Sequence, residues 1–162
     1  AHERIVYEKL KTLFKQENVS TQALLIPEII ELGYERTTVV LDFNDDFERL
    51  GIILEPFGKK SISVRSLPEI LGQINSTVFL NDLADELLEC DNISVVEEKI
   101  EKVISKIACH GSVRSGRKLN SSEMSVLLRT MERTPFSNQC NHGRPTFIEL
   151  KLKDIEKLFN RN

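Results

Sequence analysis

The sequence predicts an α+β fold, and three stretches of the chain carry that prediction. Residues 2–17 place apolar side chains at the three- and four-residue spacing of one helix face. Residues 51–55 and 61–65 are rich in β-branched side chains on either side of a Pro/Gly loop, which is typical of a β-hairpin. Residues 95–108 return to the helical spacing, so helices and an antiparallel hairpin are expected in one chain.

Shorter segments in the first half complete the predicted order of elements. Residues 22–32 begin as a strand that we expect to end at Pro27, because proline cannot donate a hydrogen bond to a sheet. Residues 37–50 carry an amphipathic pattern that predicts one short helix, and residues 78–90 predict another.

The last third of the chain predicts two helices and one strand. Asn120 and Glu123 have the three-residue spacing of a capping box, so we expect an amphipathic helix to begin there. Residues 147–150 have the pattern of a strand, and residues 153–159 that of a short final helix.

Composition places the chain among ordinary soluble proteins. Its 162 residues can bury a real core in one domain, or in one domain of two lobes, and 40% of them are hydrophobic. The 22 Lys and Arg against 25 Asp and Glu leave no global positive field, so any DNA contact must be local or supplied by a partner. No apolar run approaches the roughly 20 residues of a membrane span, and no signal peptide is visible, so no membrane partner is expected.

The three cysteines indicate a reducing compartment, because an odd number disfavours a disulfide framework. Cys90 lies within an apolar helical pattern and is interpreted as a core residue. The chain opens directly in a helical pattern without a methionine, so we expect it to be a fragment of a longer protein.

Residues 140–146, Cys-Asn-His-Gly-Arg-Pro-Thr, carry the strongest chemical signal. A thiol and an imidazole two positions apart can converge on one divalent ion, and Gly143 lets the backbone turn tightly beside them. Arg144 adds a planar cation suited to phosphate or carboxylate. A loop that merely happens to contain Cys and His is the alternative, because a zinc site usually shows four ligands.

Glu3 falls inside the apolar stripe of the first predicted helix, whereas Glu8 falls on nearly the opposite side. A buried carboxylate is costly unless a cation compensates its charge. Alternatively, Glu3 lies in the first helical turn, where the helix dipole favours an acid and solvent reaches it. Glu8 by itself is typical of a solvated helix face.

Residues 111–118 form a glycine-broken basic stretch with a local charge of plus three. Such a stretch can face phosphate groups, although a solvated loop is the commoner explanation for a charge run. Both interpretations stay open from the sequence.

Four short motifs occur together along the chain. The opening Ala1–Glu8 is similar to the end of a motif written D-Q-H-A-x-x-E-x-x-x-x-E, with Glu3 and Glu8 at its two glutamate positions. Residues 108–110 fit A-C-[basic], residues 140–145 fit C-[P/N]-H-G-R-P, and residues 159–161 fit F-x-R. In this combination and order, the chain resembles the C-terminal domain of the MutL family of DNA mismatch-repair proteins. The D-Q-H-A portion is absent from this sequence, so the family's aspartate and histidine ligands have no counterpart to name.

The resemblance implies a two-lobed α+β domain that is part of a dimeric, metal-dependent nicking endonuclease. Residues 1–17 and 111–162 would form an inner, dimer-forming lobe, into which residues of about 18–110 are inserted as an outer lobe. The implied metal ligands are Glu3, Cys109, Cys140 and His142, and the implied catalytic residues are Glu3, Glu8 and Arg144. A mixed Cys/His/Glu set suits Zn²⁺, and Mn²⁺ suits a more oxygen-rich position.

Residues 22–27, Gln-Ala-Leu-Leu-Ile-Pro, resemble the family's Q-x-x-[L/I]-x-P segment, which docks on the sliding clamp of replication. The implied docking residues are Gln22, Leu25, Ile26 and Pro27. A glutamine that hydrogen-bonds, aliphatic anchors and a proline that limits chain freedom suit docking into a hydrophobic pocket. A buried strand with a polar first residue is the alternative.

The resemblance also implies the wider setting of the intact protein. Its expected partners are a second copy of itself, double-stranded DNA, the sliding clamp and mismatch-repair proteins of the MutS type. ATP would bind only in an N-terminal domain, and the protein would be cytoplasmic and nucleoid-associated in a bacterium.

Two functions stay open from the sequence. The first is a nicking endonuclease domain, and the second is a non-catalytic dimerisation and clamp-docking module with structural metal or none. The Cys140-x-His142 spacing favours the first, because family members without the nuclease generally lack it.

Overall fold

The computed structural model describes residues 1–90, 96–113 and 117–159. None of the helices in these ranges is long and apolar enough to cross a membrane. The predicted α+β class is confirmed, since helices surround one small antiparallel sheet. The elements in chain order are α1 (His2–Lys15), β1 (Thr21–Glu31), α2 (Tyr34–Asp42), α3 (Asn44–Arg49), β2 (Ile53–Phe57), β3 (Ser61–Pro68), a 3₁₀ turn (Glu69–Leu71), α4 (Ser76–Glu89), α5 (Val96–Gly111), α6 (Ser121–Arg133) and α7 (Leu152–Leu158).

The sheet has the order β1-β3-β2, with both pairs antiparallel. The predicted hairpin is confirmed, because β2 and β3 pair across a turn in which Gly58 adopts a positive φ of 75°. The central strand β3 supplies Ile62 and Val64 to the core, where neither side chain retains exposed surface. The apolar alternation of the sequence therefore marks the face of the sheet that the helices cover.

Strand β1 corrects the expectation that Pro27 ends a strand, because β1 continues to Glu31. The register of β1 on β3 shifts between Ala23 and Glu28, so Pro27 lies within an irregular, unpaired stretch of an edge strand. Proline is tolerated there because a bulge at a sheet edge demands no backbone donor.

Helix α1 is anchored along one face. Its Leu10 is fully buried, and Lys11 donates a hydrogen bond of 2.5 Å to Glu101 of α5. That bond raises the pKa of Lys11, so its ammonium stays charged opposite Glu101. The α1 stripe packs with α4, α5 and the sheet in one core; the fully buried helical residues include Phe79, Leu80, Leu83, Val103 and Ile107.

Two further sequence expectations are corrected. The single helix expected over residues 37–50 is two helices, α2 and α3, separated at Phe43, and this break lets both Val40 and Phe47 reach the core fully buried. The strand expected at residues 147–150 has no regular structure. No described strand lies beside it to pair with its backbone, and an apolar pattern alone does not satisfy backbone hydrogen bonds.

Other local expectations are confirmed. Cys90 is fully buried. In the capping box, Asn120 Oδ1 accepts from the Glu123 amide and Glu123 Oε2 accepts from the Asn120 amide, both at 2.9 Å. The division into lobes at residues 17/18 and 110/111 stays a prediction.

We expect Leu10→Ala to lower the free energy of unfolding by about 2–5 kcal/mol, because it leaves a cavity between α1 and the core. The matched control is Lys9→Ala, which removes the neighbouring exposed side chain and is expected to change stability by less than about 0.5 kcal/mol. Equilibrium urea denaturation measures both values. Equal losses for the two variants would contradict the burial of this helix face.

Candidate functional site

Residues 137–146 form a closed loop that presents Asn141 and His142 at its apex. The Gly143 amide donates to the Cys140 carbonyl at 3.0 Å, and the Cys140 amide donates to the Arg144 carbonyl at 2.8 Å. Gly143 has a φ of 76°, in the left-handed region that favours glycine. This bonding pattern is that of a tight turn closed by a left-handed glycine, so the glycine fixes the direction of the residues before it.

The first turn of α1 meets the apex of this loop. The side-chain amide of Asn141 donates to Glu3 Oε1 at 3.1 Å, and His142 Nδ1 lies 3.9 Å from the same oxygen. The Glu3 side chain is 22% exposed and the His142 side chain is 70% exposed. Two of the residues predicted from the sequence are therefore brought together, and a neutral amide offsets part of the cost of burying the carboxylate.

Arg4 makes a second tie between α1 and the segment that leads into the loop. Its guanidinium carbon lies 5.3 Å from the centre of the Tyr7 ring and 5.5 Å from the centre of the Phe136 ring. One of its terminal nitrogens pairs with Glu8 at 3.1 Å, and both side chains are mostly buried. Glu8, predicted as a catalytic residue, thus has a structural partner in this arrangement. The spacing of Arg4 and Glu8, four residues apart, was the only signal in the sequence for their pairing.

The two predicted cysteine ligands are not gathered with this pair. Cys109 is exposed at the end of α5, and Cys140 is partly buried at the start of the turn. Across residues 1–90, 96–113 and 117–159, no three His, Cys, Asp or Glu side chains form a group able to hold a metal ion. The four-residue ligand set of Glu3, Cys109, Cys140 and His142 therefore stays a prediction.

The chemistry of the assembled pair nonetheless fits a divalent ion. Two ligand atoms, each about 2 Å from one ion, lie at most about 4 Å apart, and the Glu3–His142 distance of 3.9 Å is within that limit. Asn141 Oδ1 is buried beside the pair without a hydrogen-bond partner among the described residues. Arg144 is exposed and forms no ion pair with them, which leaves its guanidinium available to an anion.

A separate cavity of about 1060 Å³ opens between α1, the 3₁₀ turn and α6. His2 lines it and accepts a hydrogen bond of 3.0 Å from the Val113 amide through Nδ1. Burial, together with the positive charges of the chain's amino terminus and Arg117, lowers the pKa of His2, which favours the neutral acceptor form. His2 was not among the residues predicted from the sequence.

His110, the basic residue of the A-C-[basic] motif, points into the fold. Its Nε2 lies 2.9 Å from Asp82 of α4, its ring packs edge-on against Phe79, and its side chain is 6% exposed. The ring is therefore committed to packing α5 against α4.

Parts of two sequence motifs lie outside the described residues. In the basic stretch these are residues 114–116, and in the F-x-R motif they are residues 160 and 161. Within the described part of the basic stretch, Arg117 pairs with Glu123 at 2.6 Å.

The segment from Gln22 to Pro27 is turned outwards. Leu25 is fully exposed and Ile26 is 80% exposed, in the irregular part of edge strand β1. The alternative of a buried strand is therefore wrong, and docking on a clamp stays a prediction.

Comparison with known proteins gives a consistent result. The model of the MutL C-terminal dimerisation domain matches residues 1–119. The DNA mismatch repair protein MutL of Rickettsia bellii (strain OSU 85-389) is 55% identical over 162 residues, which is 99% of this chain and 26% of the relative. MutL of Nitrobacter winogradskyi is 49% identical over 161 residues, covering 99% of this chain and 27% of the relative. MutL of Rhizobium rhizogenes is 49% identical over 162 residues, covering 100% and 27%. The chain spans about a quarter of the length of these relatives.

Proposed function

Because the chain belongs to the MutL family of DNA mismatch-repair proteins and matches its C-terminal dimerisation domain, we propose that it carries a metal-dependent nicking endonuclease in the intact protein. The observation that supports this proposal most directly is the meeting of Glu3 and His142 at 3.9 Å, from opposite ends of the chain. A carboxylate and an imidazole at this separation are donors that one divalent ion can share.

Each side chain has a defined task in this proposal. Glu3 and His142 hold the ion, and the thiols of Cys109 and Cys140 complete the set that suits Zn²⁺ or Mn²⁺. When bound, the ion supplies a Lewis acid and an activated water for hydrolysis of a phosphodiester. Arg144, exposed next to the turn, attracts the phosphate, and Glu8 fixes Arg4 beneath the loop.

Exposed apolar surface supports a homodimer. Helices α6 and α7 bury none of their residues in the single chain, and the segment between them also exposes large apolar side chains. Contiguous apolar surface of this kind marks an interface. The most exposed of these residues are Val126, Leu128, Ile148, Leu152, Leu158 and Phe159.

The outward Gln22–Pro27 segment supports a second proposed activity, docking on the replication sliding clamp. With a formal net charge of −3, the domain has little attraction for DNA, and a clamp encircling the duplex would deliver it. Double-stranded DNA, the clamp and MutS-type proteins are thus the partners we propose for the intact protein, together with ATP bound in its N-terminal domain. If the metal is absent or structural, dimerisation and clamp docking are the function that remains.

We expect Glu3→Gln and His142→Ala each to lower the nicking rate of the full-length protein on supercoiled plasmid by more than about tenfold. Residues that merely support metal ligands already cost 10–100-fold, as a rough guide. Glu17→Gln makes the same chemical change at an exposed position beyond α1 and is the control. Plasmid relaxation with Zn²⁺ or Mn²⁺, together with the dimer mass by light scattering, measures the effect. A dimeric unaltered protein that nicks with neither ion would favour the non-catalytic module.

Gln22→Ala combined with Leu25→Ala is expected to weaken clamp binding while the free energy of unfolding changes by less than about 0.5 kcal/mol, because both side chains are exposed. Ile29→Ala removes another exposed apolar side chain of β1, outside the hexapeptide, and serves as the control. Surface plasmon resonance on immobilised clamp gives the affinities. The docking proposal fails if the double variant binds as tightly as the Ile29→Ala control.

A further inference from the structure

We propose that Asn141 is a positioning residue that holds the Glu3 carboxylate beside His142. This inference rests on the metal centre proposed above and adds to it a residue that contacts a ligand instead of serving as one. The hydrogen bond from Asn141 Nδ2 to Glu3 Oε1 is 3.1 Å long and joins residues 138 positions apart. Nothing in the local sequence requires this contact, so the fold itself brings it about.

The geometry divides the two oxygens of Glu3 between different tasks. Oε1 accepts from Asn141 and faces His142 Nδ1 at 3.9 Å, whereas Oε2 makes no hydrogen bond or ion pair with the described residues. One oxygen is thereby fixed in place and the other is left available. A carboxylate held in this way is pre-oriented for an ion.

The turn determines where the Asn141 amide points. Asn141 is the first of the two central residues of the turn from Cys140 to Gly143, which is closed by two backbone hydrogen bonds. Its own backbone amide takes part in no backbone hydrogen bond among the described residues. The side chain is therefore the part of Asn141 that links the loop to α1.

The chemistry of the amide suits this position. A neutral donor stabilises the ionised form of Glu3 without placing a second cation where a metal ion would have to bind. An aspartate at the same position would repel Glu3, and a lysine would compete with the ion. Asn141 Oδ1 is buried and unpartnered among the described residues, so it leaves an acceptor next to the proposed ion.

The test is the affinity of the full-length protein for Zn²⁺, measured by competition with a chromophoric chelator. Asn141→Ala and Asn141→Pro are expected to weaken binding roughly 10- to 100-fold, the usual cost of losing a residue that orients a ligand. Proline is favoured at this position of a turn, so Asn141→Pro removes the side-chain amide while preserving the backbone. Asn141→Gln retains an amide and is expected to weaken binding less than Asn141→Ala. Asn138→Ala, an exposed asparagine of the same loop, is expected to leave the affinity unchanged.

The outcomes separate the inference from the function on which it rests. Unaltered binding in both Asn141→Ala and Asn141→Pro, with a protein that does bind Zn²⁺, overturns the positioning role alone. Loss of binding in Asn141→Ala with normal binding in Asn141→Pro also overturns it, because the turn and not the amide would then be responsible. A failure of the unaltered protein to bind Zn²⁺ or Mn²⁺ overturns the metal centre, and the positioning role with it.

Discussion

The anchoring of α1 is the constraint on which the candidate site depends. Leu10 is fully buried in the core, and Lys11 is hydrogen-bonded to Glu101 of α5, so the helix cannot rotate about its axis without losing both. Its first turn then has a fixed direction, which brings Glu3 to the loop that ends in Thr146. The contact of Arg4 with Phe136 adds a second point of attachment, and the two ties together define where the apex of the loop lies.

Local interactions explain why much of the fold could be predicted. The capping box at Asn120, the β2–β3 hairpin and the main helices each depend on residues close together in sequence. The errors arose where distant partners decide. Pro27 did not end β1 because an edge strand tolerates a bulge there, and residues 147–150 formed no strand because no described strand lies beside them.

The candidate site was predictable only in part, for the same reason. The Cys140-x-His142 spacing indicated a tight loop with metal-binding groups, and the position of Glu3 on the apolar stripe indicated that its carboxylate needs a partner. The identity of that partner was not predictable, because Asn141 reaches Glu3 across 138 positions of the chain. Arg4 was missed as well, since a single arginine on a helix carries no sign that two aromatic rings will surround it.

The account's central claim is that α1 and the 137–146 loop together hold a divalent ion in a mismatch-repair dimer. Anomalous X-ray diffraction at the zinc edge, from crystals of the full-length protein grown with Zn²⁺, tests this claim most directly. The account predicts an anomalous peak about 2 Å from both a Glu3 carboxylate oxygen and a His142 ring nitrogen, with a cysteine sulfur about 2.3 Å away. A well-occupied peak elsewhere in the domain, or no peak at saturating Zn²⁺, would contradict it.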